Sequence, residues 1–539
     1  MGQPALLFEA SQLNGGQYEG DKTAFISFDP VEEIAINGRN ISLRRMESQK
    51  KMRQDSDEFD FSFCHQITEK IPLEDLFVAF EGRPNFSRES LPSQMLAEYL
   101  SNFENKTSMP PAEPSDPVSG DRSGVRLATL STAGQLDHQQ NFKPSEGDQE
   151  QDHGYGLLGG YLGYEFVQNI EKIPLPENKN REGDGILYLF RHALVFDFKT
   201  QSIRLYSHRF SDRDQDLDLN RLHRELAQYI EKKLECDSHR YLDLKKQTDQ
   251  LVRGSKHFGT VPDDSKSMLG KEAFVEAIGE IKEAIHRGDI FQCVLSDQFR
   301  SPFRQDPLGV YTILRLENPS PYHFYLDMRE GVLLGASPER LVSVHANEVK
   351  TSPIAGTRPR GLTLEEDLSL EGELLRDEKE IAEHMMLVDL GRNDIGRISK
   401  PGSVRVEKLM AVERFSKVMH LVSNVRGELD SSRHSFESLL ACFPAGTLSG
   451  APKVSAMKLI SRLEPLQRGA YGGALVFQDF ADHFESCICI RSCYFDGEYS
   501  YVRAGAGVVA DSNAEKEYQE VLNKASAVLR AIAQSKERS

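Results

Sequence analysis

The chain has 539 residues, 39% of them hydrophobic, enough for about two to four domains with a sizeable core. A net charge of −18 argues against a phosphate-tracking nucleic-acid surface and obliges any site for an anionic substrate to concentrate positive charge locally. No run reaches the roughly 18–20 apolar residues that span a bilayer. No basic-then-apolar leader opens the chain, Leu6 stands where a myristoylation signal needs Ser or Thr, and seven scattered cysteines fit a reducing cytoplasm.

The first 40 residues read as short strands and turns, ALLFEAS, TAFISFDP and EIAINGRN, with an Asn-Gly turn at 37–38. The charged run 43–60 is predicted to be exposed, and LEDLFVAF and SQMLAEYLSNF to form short amphipathic helices. Residues 104–153 are rich in Pro, Ser, Gly, Asp and Gln; they cannot bury enough to offset ordering entropy, so a mobile insertion is expected. Order returns at GLLGGYLGYEFVQNIEKIP (156–174), with a hairpin in ILYLFRHALVFDFKTQSIRLYSH and a helix over 212–237. The polar stretch 236–268 reads as a linker between an N-terminal region, 1–235, and a catalytic domain, 269–535.

In the second half, Phe274, Ile278, Ile281 and Ile285 are spaced 4, 3 and 4, one helix face, and Gly288 is placed as its C-cap. IFQCVLSDQF follows as a strand. Strands YHFYLDM, VLLGAS and LVSVHAN then alternate with helices over 376–391, 434–442, 451–462 and 514–534. This pattern predicts an α+β domain with mixed sheets, not a regular βαβ array.

Several stretches carry polar chemistry. PIAGTRPRG (353–361), with Gly356, Thr357 and two arginines, reads as a rigid cationic loop suited to a carboxylate-rich substrate. On the helix over 376–391, Glu380, Glu383, His384 and Leu387 share one face, and Ile381, Met385 and Val388 another. The C-terminal helix presents Glu517 and Glu520, with Lys524 one turn beyond. Two helices each offering a glutamate could hold Mg²⁺, which needs only one or two carboxylates beside substrate oxygens and water. Spacing alone favours ordinary solvated pairs such as Lys379–Glu383 and Lys516–Glu520. His420, in the apolar KVMHLVS, is by itself more often a satisfied core histidine, although its pKa suits proton transfer. AGAG at 504–507 is a tight turn or a backbone cradle for an anion. GTLSGAPK (446–453) places Thr447 before a helix start with Pro452 near its first turn. In CICIRSC, period two puts Cys487, Cys489, Arg491 and Cys493 on one strand face, better read as small buried side chains than as a zinc site.

PIAGTRPRG, DEKEIAEHMMLVDLGRND, VMHLVS, GTLSGAPK and AGAGVVADSNAEKEYQE together resemble the chorismate-utilising enzymes, most closely the large (aminase) subunits of anthranilate synthases. The resemblance is dense over 269–534. It is looser over 1–200, at LLFEAS, FDPVEE and GGYLGYEF. It implies the α+β chorismate-utilising fold, a sandwich-like core of β-sheets with helices outside. It also implies Mg²⁺ held by Glu383 and Glu520, with Glu380 and Glu517 in support, and reverses the preference for solvated pairs. His420 and Thr357 take the catalytic positions. Gly356, Thr357, Thr447, Tyr471, Arg491, Gly505, Ala506, Gly507 and Lys524 line the substrate, unless Arg491 instead pairs with a buried acid.

Two positions choose among branches of the family. Ala355 stands where the aminodeoxychorismate-forming relatives usually carry a nucleophilic lysine, and alanine cannot attack. Gln292 stands where the isochorismate- and salicylate-forming relatives carry a lysine base, and glutamine cannot activate water. The expected reaction is therefore amination of chorismate by ammonia, loss of pyruvate and aromatisation to anthranilate, the first step towards tryptophan. The alternatives are amination alone, to 2-amino-2-deoxyisochorismate, an aminodeoxychorismate synthase component I, or a non-catalytic sensor. None of Cys64, Cys236, Cys293, Cys442, Cys487, Cys489 or Cys493 sits at a glycine-rich nucleophile turn, so a separate glutamine amidotransferase subunit is expected in a hetero-oligomer. The resemblance also implies a tryptophan feedback pocket from Glu9, Ala10 and Ser11 with Pro321 and Tyr322, although Ala10 replaces the usual serine; an ordinary edge strand is the alternative.

Overall fold

Successive side chains of a strand point to opposite faces, and here that alternation sorts the sheet residues into separate cores. The computed structural model describes residues 5–11, 22–37, 40–48, 65–71, 128–131, 158–176, 184–197, 202–207, 262–328, 330–415, 418–479 and 483–537. Leu333, Leu475, Cys487 and Tyr494 join Phe8, Tyr188 and Phe324 in a core without helices. Their neighbours Leu334 and Cys493 face the helices Lys271–His286, Pro307–Glu317, Lys453–Leu463 and Ala514–Glu537. Leu187, Val476 and Ile488 face the helices Glu378–Gly396 and Ser435–Cys442. A strand-lined interior with helices outside is the sandwich-like α+β arrangement expected.

The mixed character expected of the sheets is corrected: every pairing between described strands is antiparallel. Many links, such as the one between Tyr322–Met328 and Gly331–Ser337, are tight hairpins. A parallel pair would need a long crossover.

The N-terminal strands are stitched into this sheet system. Ala5–Ser11 pairs on one side with Lys22–Asn37 and on the other with Tyr322–Met328, so it is not an edge strand. Leu158–Leu162 pairs with Ala474–Gln478. TAFISFDP and EIAIN form one strand, Lys22–Asn37, whose register shifts between Pro30 and Glu32. Proline has no N–H for the ladder, so a bulge there is expected. Ile36 lies opposite Ile41 and Asn37 opposite Asn40, so Asn37 still belongs to the strand and the turn predicted at 37–38 is one residue out of register. The charged segment from 43 begins as the strand Asn40–Ser48. Of the proposed insertion 104–153, only Ala128–Ser131 is described; it pairs with Ser202–Ser207. The two short helices proposed before it, the helix proposed over 212–237 and most of the linker lie outside the described residues.

The helices of the second half match their spacing. Lys271–His286 ends at Arg287, and Gly288 follows with φ +80, the left-handed residue expected there. Pro452 is the N-cap of Lys453–Leu463, one position before the first turn. Two further helices that the spacing does not predict have a legible start: Pro307–Glu317 is capped by Asp306, and Leu364–Leu374 by Thr363.

Candidate active site

The strand Val418–Glu428 lies against Ile354–Pro359, and this pairing brings His420 to the Gly356–Thr357 turn. His420 Nδ1 lies 2.8 Å from the Gly356 carbonyl oxygen and 3.1 Å from Thr357 Oγ1. A carbonyl can only accept, so Nδ1 carries the hydrogen and the neutral ring presents a bare Nε2. Burial, with a smaller push from the Arg491 charge, lowers the His420 pKa against the favourable Gly356 bond. The ring therefore stays neutral and base-competent at pH 7. Phe415 packs edge-on at 5.3 Å. His420 is thus half-buried and oriented, with a bare Nε2 able to accept a proton, and is not packed into the core. Gly356 has φ +66, and a Cβ there would come within 2.9 Å of Leu374, so the turn that aims its carbonyl requires glycine.

The helices Glu378–Gly396 and Ala514–Glu537 bring four carboxylates together. Burial first, then the Glu380 charge and more weakly that of Glu520, raises the Glu383 pKa; a bond from Gln292 Nε2 at 2.9 Å and the Lys379 charge oppose this. Burial and the Glu520 charge likewise raise the Glu517 pKa. Of the expected solvated pairs, Lys516–Glu520 is replaced by Lys524–Glu520 at 2.6 Å. This excess of negative oxygen donors suits a hard divalent cation. Gly507 leaves open the space beside Glu383, where a Cβ would press to 2.7 Å from Gln292 Nε2. No three His, Cys, Asp or Glu converge closely enough among the described residues to hold a metal by themselves. Two glutamates would leave coordination positions for substrate oxygens and water.

Cationic side chains lie beside these carboxylates. Arg491 has no ion pair or side-chain hydrogen bond among the described residues; burial lowers its pKa, with only Tyr471 and Glu520 acting against that. The salt-bridge alternative is therefore not what the structure contains. Tyr471 is 6% exposed, and burial pushes its phenol up to about 12, so it stays protonated and can donate. Its hydroxyl lies where a Cβ on Gly505 would be 2.8 Å away. Lys524 Nζ donates to the Gly505 carbonyl at 3.0 Å. Gly505, Ala506 and Gly507 belong to the strand Tyr499–Val508, paired along its length with Gln292–Pro302.

Glu339, in the Ser-Pro-Glu-Arg turn between two strands, is a site residue that sequence reasoning missed. Burial pushes its carboxyl up to about 7, against the opposing influence of the Thr447 hydroxyl and the Lys524 charge. Thr447 Oγ1 is buried and makes no well-formed hydrogen bond, although it lies close enough to Glu339 to favour the ionised form. We read it as an approach without a settled bond. A shallow, open-mouthed pocket is lined by Glu339, Gly446 and Thr447 and extends along Leu387, Gly391 and Asp394. It shares Glu339 and Thr447 with the site and does not reach His420 or Glu383.

Several expectations need correction. The PIAGTRPRG arginines are not free for substrate: Arg358 binds Asp377 at 2.7 Å and approaches Glu380 at 3.6 Å. Arg360 grips Asp367 with two bonds, at 2.8 and 3.0 Å. They brace the loop to the two following helices. His384 departs from the Glu380–Glu383 face; it is fully buried and 2.6 Å from Ser423. Met385, expected on an apolar face, is 41% exposed. Cys493 lies in a different core from Cys487 and Cys489, because Arg491 has φ +52 and breaks the alternation. Backbone register sets Glu9 opposite His323 and Ala10 opposite Tyr322, so the two proposed feedback segments are neighbours. Tyr322 donates its hydroxyl to Glu485 at 2.7 Å.

The chorismate binding enzyme family matches residues 99–530. Anthranilate synthase component 1 of Acetivibrio thermocellus is 42% identical over 386 residues, 70% of this chain and 75% of that protein. The same component from Bacillus caldotenax is 41% identical over 389 residues, 70% and 74% respectively. The crystal structure of anthranilate synthase component I from Streptococcus pneumoniae covers 96% of this chain and 94% of its own, at 29% identity and TM-score 0.64.

Proposed function

The chain belongs to the chorismate-binding enzymes, and we propose that it aminates chorismate with ammonia and eliminates pyruvate to give anthranilate. The observation that carries this reading is a site with an oriented base, His420, and a partly buried acid of raised pKa, Glu339, but no lysine at 355 or 292 to act as nucleophile or to activate water. Gln292 instead donates to Glu383, and its Oε1 is buried without a partner, an acceptor suited to an ammonia N–H.

In the amination half, ammonia attacks ring carbon 2, the ring double bonds shift, and the carbon 4–oxygen bond breaks. Glu339 gives its proton to the departing hydroxyl, which leaves as water. In the elimination half, His420 Nε2 takes the carbon 2 proton, the carbon 3–oxygen bond breaks, and the ring becomes aromatic. The released enolate of pyruvate takes a proton at its methylene carbon. Arg491 and Tyr471 would hold the enolpyruvyl carboxylate, and Lys524 and Thr447 would orient the ring, a reading supported by the half-buried Arg491, unpaired among the described residues, and the protonated Tyr471 phenol. Glu383 and Glu520 would hold magnesium, with Glu380 and Glu517 in support. When bound, the ion would neutralise the ring carboxylate and stabilise charge developing in the ring.

Ammonia would come from a separate glutamine amidotransferase subunit. Cys293, Cys442, Cys487, Cys489 and Cys493 are buried thiols outside any disulfide, and burial pushes thiols such as Cys293 up to about 12, far from a reactive thiolate. Cys64 and Cys236 lie outside the described residues. Free thiols also fit the cytoplasm. No described helix is long and apolar enough to cross a membrane. The purified chain should make fluorescent anthranilate from chorismate, Mg²⁺ and ammonium, and none with glutamine as the only nitrogen source. Activity with glutamine alone would refute the separate subunit, and a non-fluorescent amino product would mean that the reaction stops after amination. Tryptophan at millimolar concentration should inhibit; undiminished activity would reject a feedback pocket between the paired strands at Ala10 and Tyr322.

A further inference from the structure

The loop over 467–473, which carries Tyr471, is bracketed by Gly469 at φ +61 and Gly472 at φ +76. Glycines in that region give a loop several backbone conformations of similar energy, so one conformation must be selected by outside contacts. Three such contacts converge. The Arg468 guanidinium donates to the carbonyl oxygens of Leu448 at 2.6 Å and Val294 at 2.8 Å, and to both Glu464 oxygens. Arg503 donates to the Gln467 carbonyl at 2.9 Å. The third contact crosses from the N-terminal half: Glu165, 2% exposed, accepts the Arg468 N–H at 2.6 Å through one oxygen and the Gly469 N–H at 3.0 Å through the other. Tyr164 N–H donates to the Gly469 carbonyl at 2.8 Å, and the Arg468 guanidinium lies 4.6 Å from the Tyr164 ring.

Glu165 touches none of the groups assigned to the reaction. A carboxylate enclosed in protein is unfavourable unless its oxygens are used, and both are used here on consecutive peptide N–H groups of one loop. The turn that carries it, Tyr164–Asn169, follows the strand Leu158–Leu162, which pairs with Ala474–Gln478 directly after the loop. Both ends of the Tyr471 segment are therefore referred to the same N-terminal element. That element continues through the strand Gly185–Asp197 to Lys22–Asn37 and so to Ala5–Ser11.

We propose that Glu165 is a positioning residue for substrate binding: its two backbone hydrogen bonds select the loop conformation that sets the Tyr471 phenol against Gly505, and so couple the N-terminal sheet to the enolpyruvyl end of the site. The proposal rests on the reading of Tyr471 as a substrate contact. Glu165→Gln is nearly isosteric but sets an NH₂ against one of the two peptide donors. Glu165→Asp keeps both oxygens on a shorter stem.

The test is chorismate affinity by calorimetry in Mg²⁺, with KM and kcat from the ammonium-dependent reaction. Glu165→Gln should weaken binding and raise KM by about tenfold to a hundredfold, with a smaller change in kcat and with Glu165→Asp in between. Tyr471→Phe should also weaken binding, and adding it to Glu165→Gln should weaken it little further, because the misplaced phenol has already lost its contact. Unchanged affinity in folded Glu165→Gln would overturn the proposal, as would losses in the two variants that multiply independently. Unchanged affinity in Tyr471→Phe would remove the contact on which it rests. Affinity is read without turnover, so a wild-type protein that binds chorismate but makes no anthranilate would count against the amination reading alone.

Discussion

Glu339→Gln is expected to slow anthranilate formation about a hundredfold or more, the loss of one positioned general acid. Burial holds the wild-type carboxyl at about 7 in place of 4.5, so near neutrality a large fraction retains its proton. Glutamine preserves shape and hydrogen bonding but has no acidic proton for the departing hydroxyl. With the concentration of free ammonia held constant, the wild-type rate should fall as pH rises through about 7, because the acid form is depleted, and the residual rate of the variant should lack that fall. Stability carries the same sign. A carboxyl whose folded pKa exceeds its unfolded value contributes stability that is fully present below about 4.5 and is lost as pH rises through about 7. Glu339→Gln should therefore melt higher than wild type above pH 7, by an amount that shrinks towards pH 5. A variant with an intact rate and an unchanged alkaline limb would remove Glu339 from the chemistry.

His420→Ala should cut anthranilate formation by a comparable factor, but at a different step. The Gly356 carbonyl fixes the hydrogen on Nδ1, so the loss is that of the bare Nε2 which removes the carbon 2 proton in the elimination half. Chorismate consumption should outlast anthranilate release, and 2-amino-2-deoxyisochorismate should accumulate, visible by chromatography as a non-fluorescent product. Equal loss of both activities would move His420 to the amination step or to substrate binding. The two variants together separate acid from base along one reaction.

Legibility in the sequence differs by residue. Glu383 and Glu520 lie on long helices whose three- and four-residue spacing is visible locally, and the structure sets their charges within mutual influence. His420 sits in a strand that alternation identifies, but only the crossing of Ile354–Pro359 converts it from a core candidate into an oriented base. Glu339 had no periodic signal: burial raises its pKa, and the groups that oppose the shift, Thr447 and Lys524, lie more than a hundred residues away in sequence. Arg358 and Arg360 look like ligand cations until the helices after them fold back and supply Asp377 and Asp367. The helix Leu364–Leu374 was announced by Thr363 three residues before Glu366, a start signal weaker than its surroundings because the helix leaves Leu364 and Leu368 exposed. The cysteine face failed at one backbone angle, that of Arg491.

The most direct test of the account follows anthranilate and pyruvate together from the purified chain given chorismate, ammonium and Mg²⁺, with Glu383→Ala measured beside it for both turnover and Mg²⁺ affinity by calorimetry. The account predicts equal amounts of the two products from wild type, and little product with weakened Mg²⁺ binding in the variant. Isochorismate as the product, or a Glu383→Ala protein that binds Mg²⁺ and turns over like wild type, would contradict it.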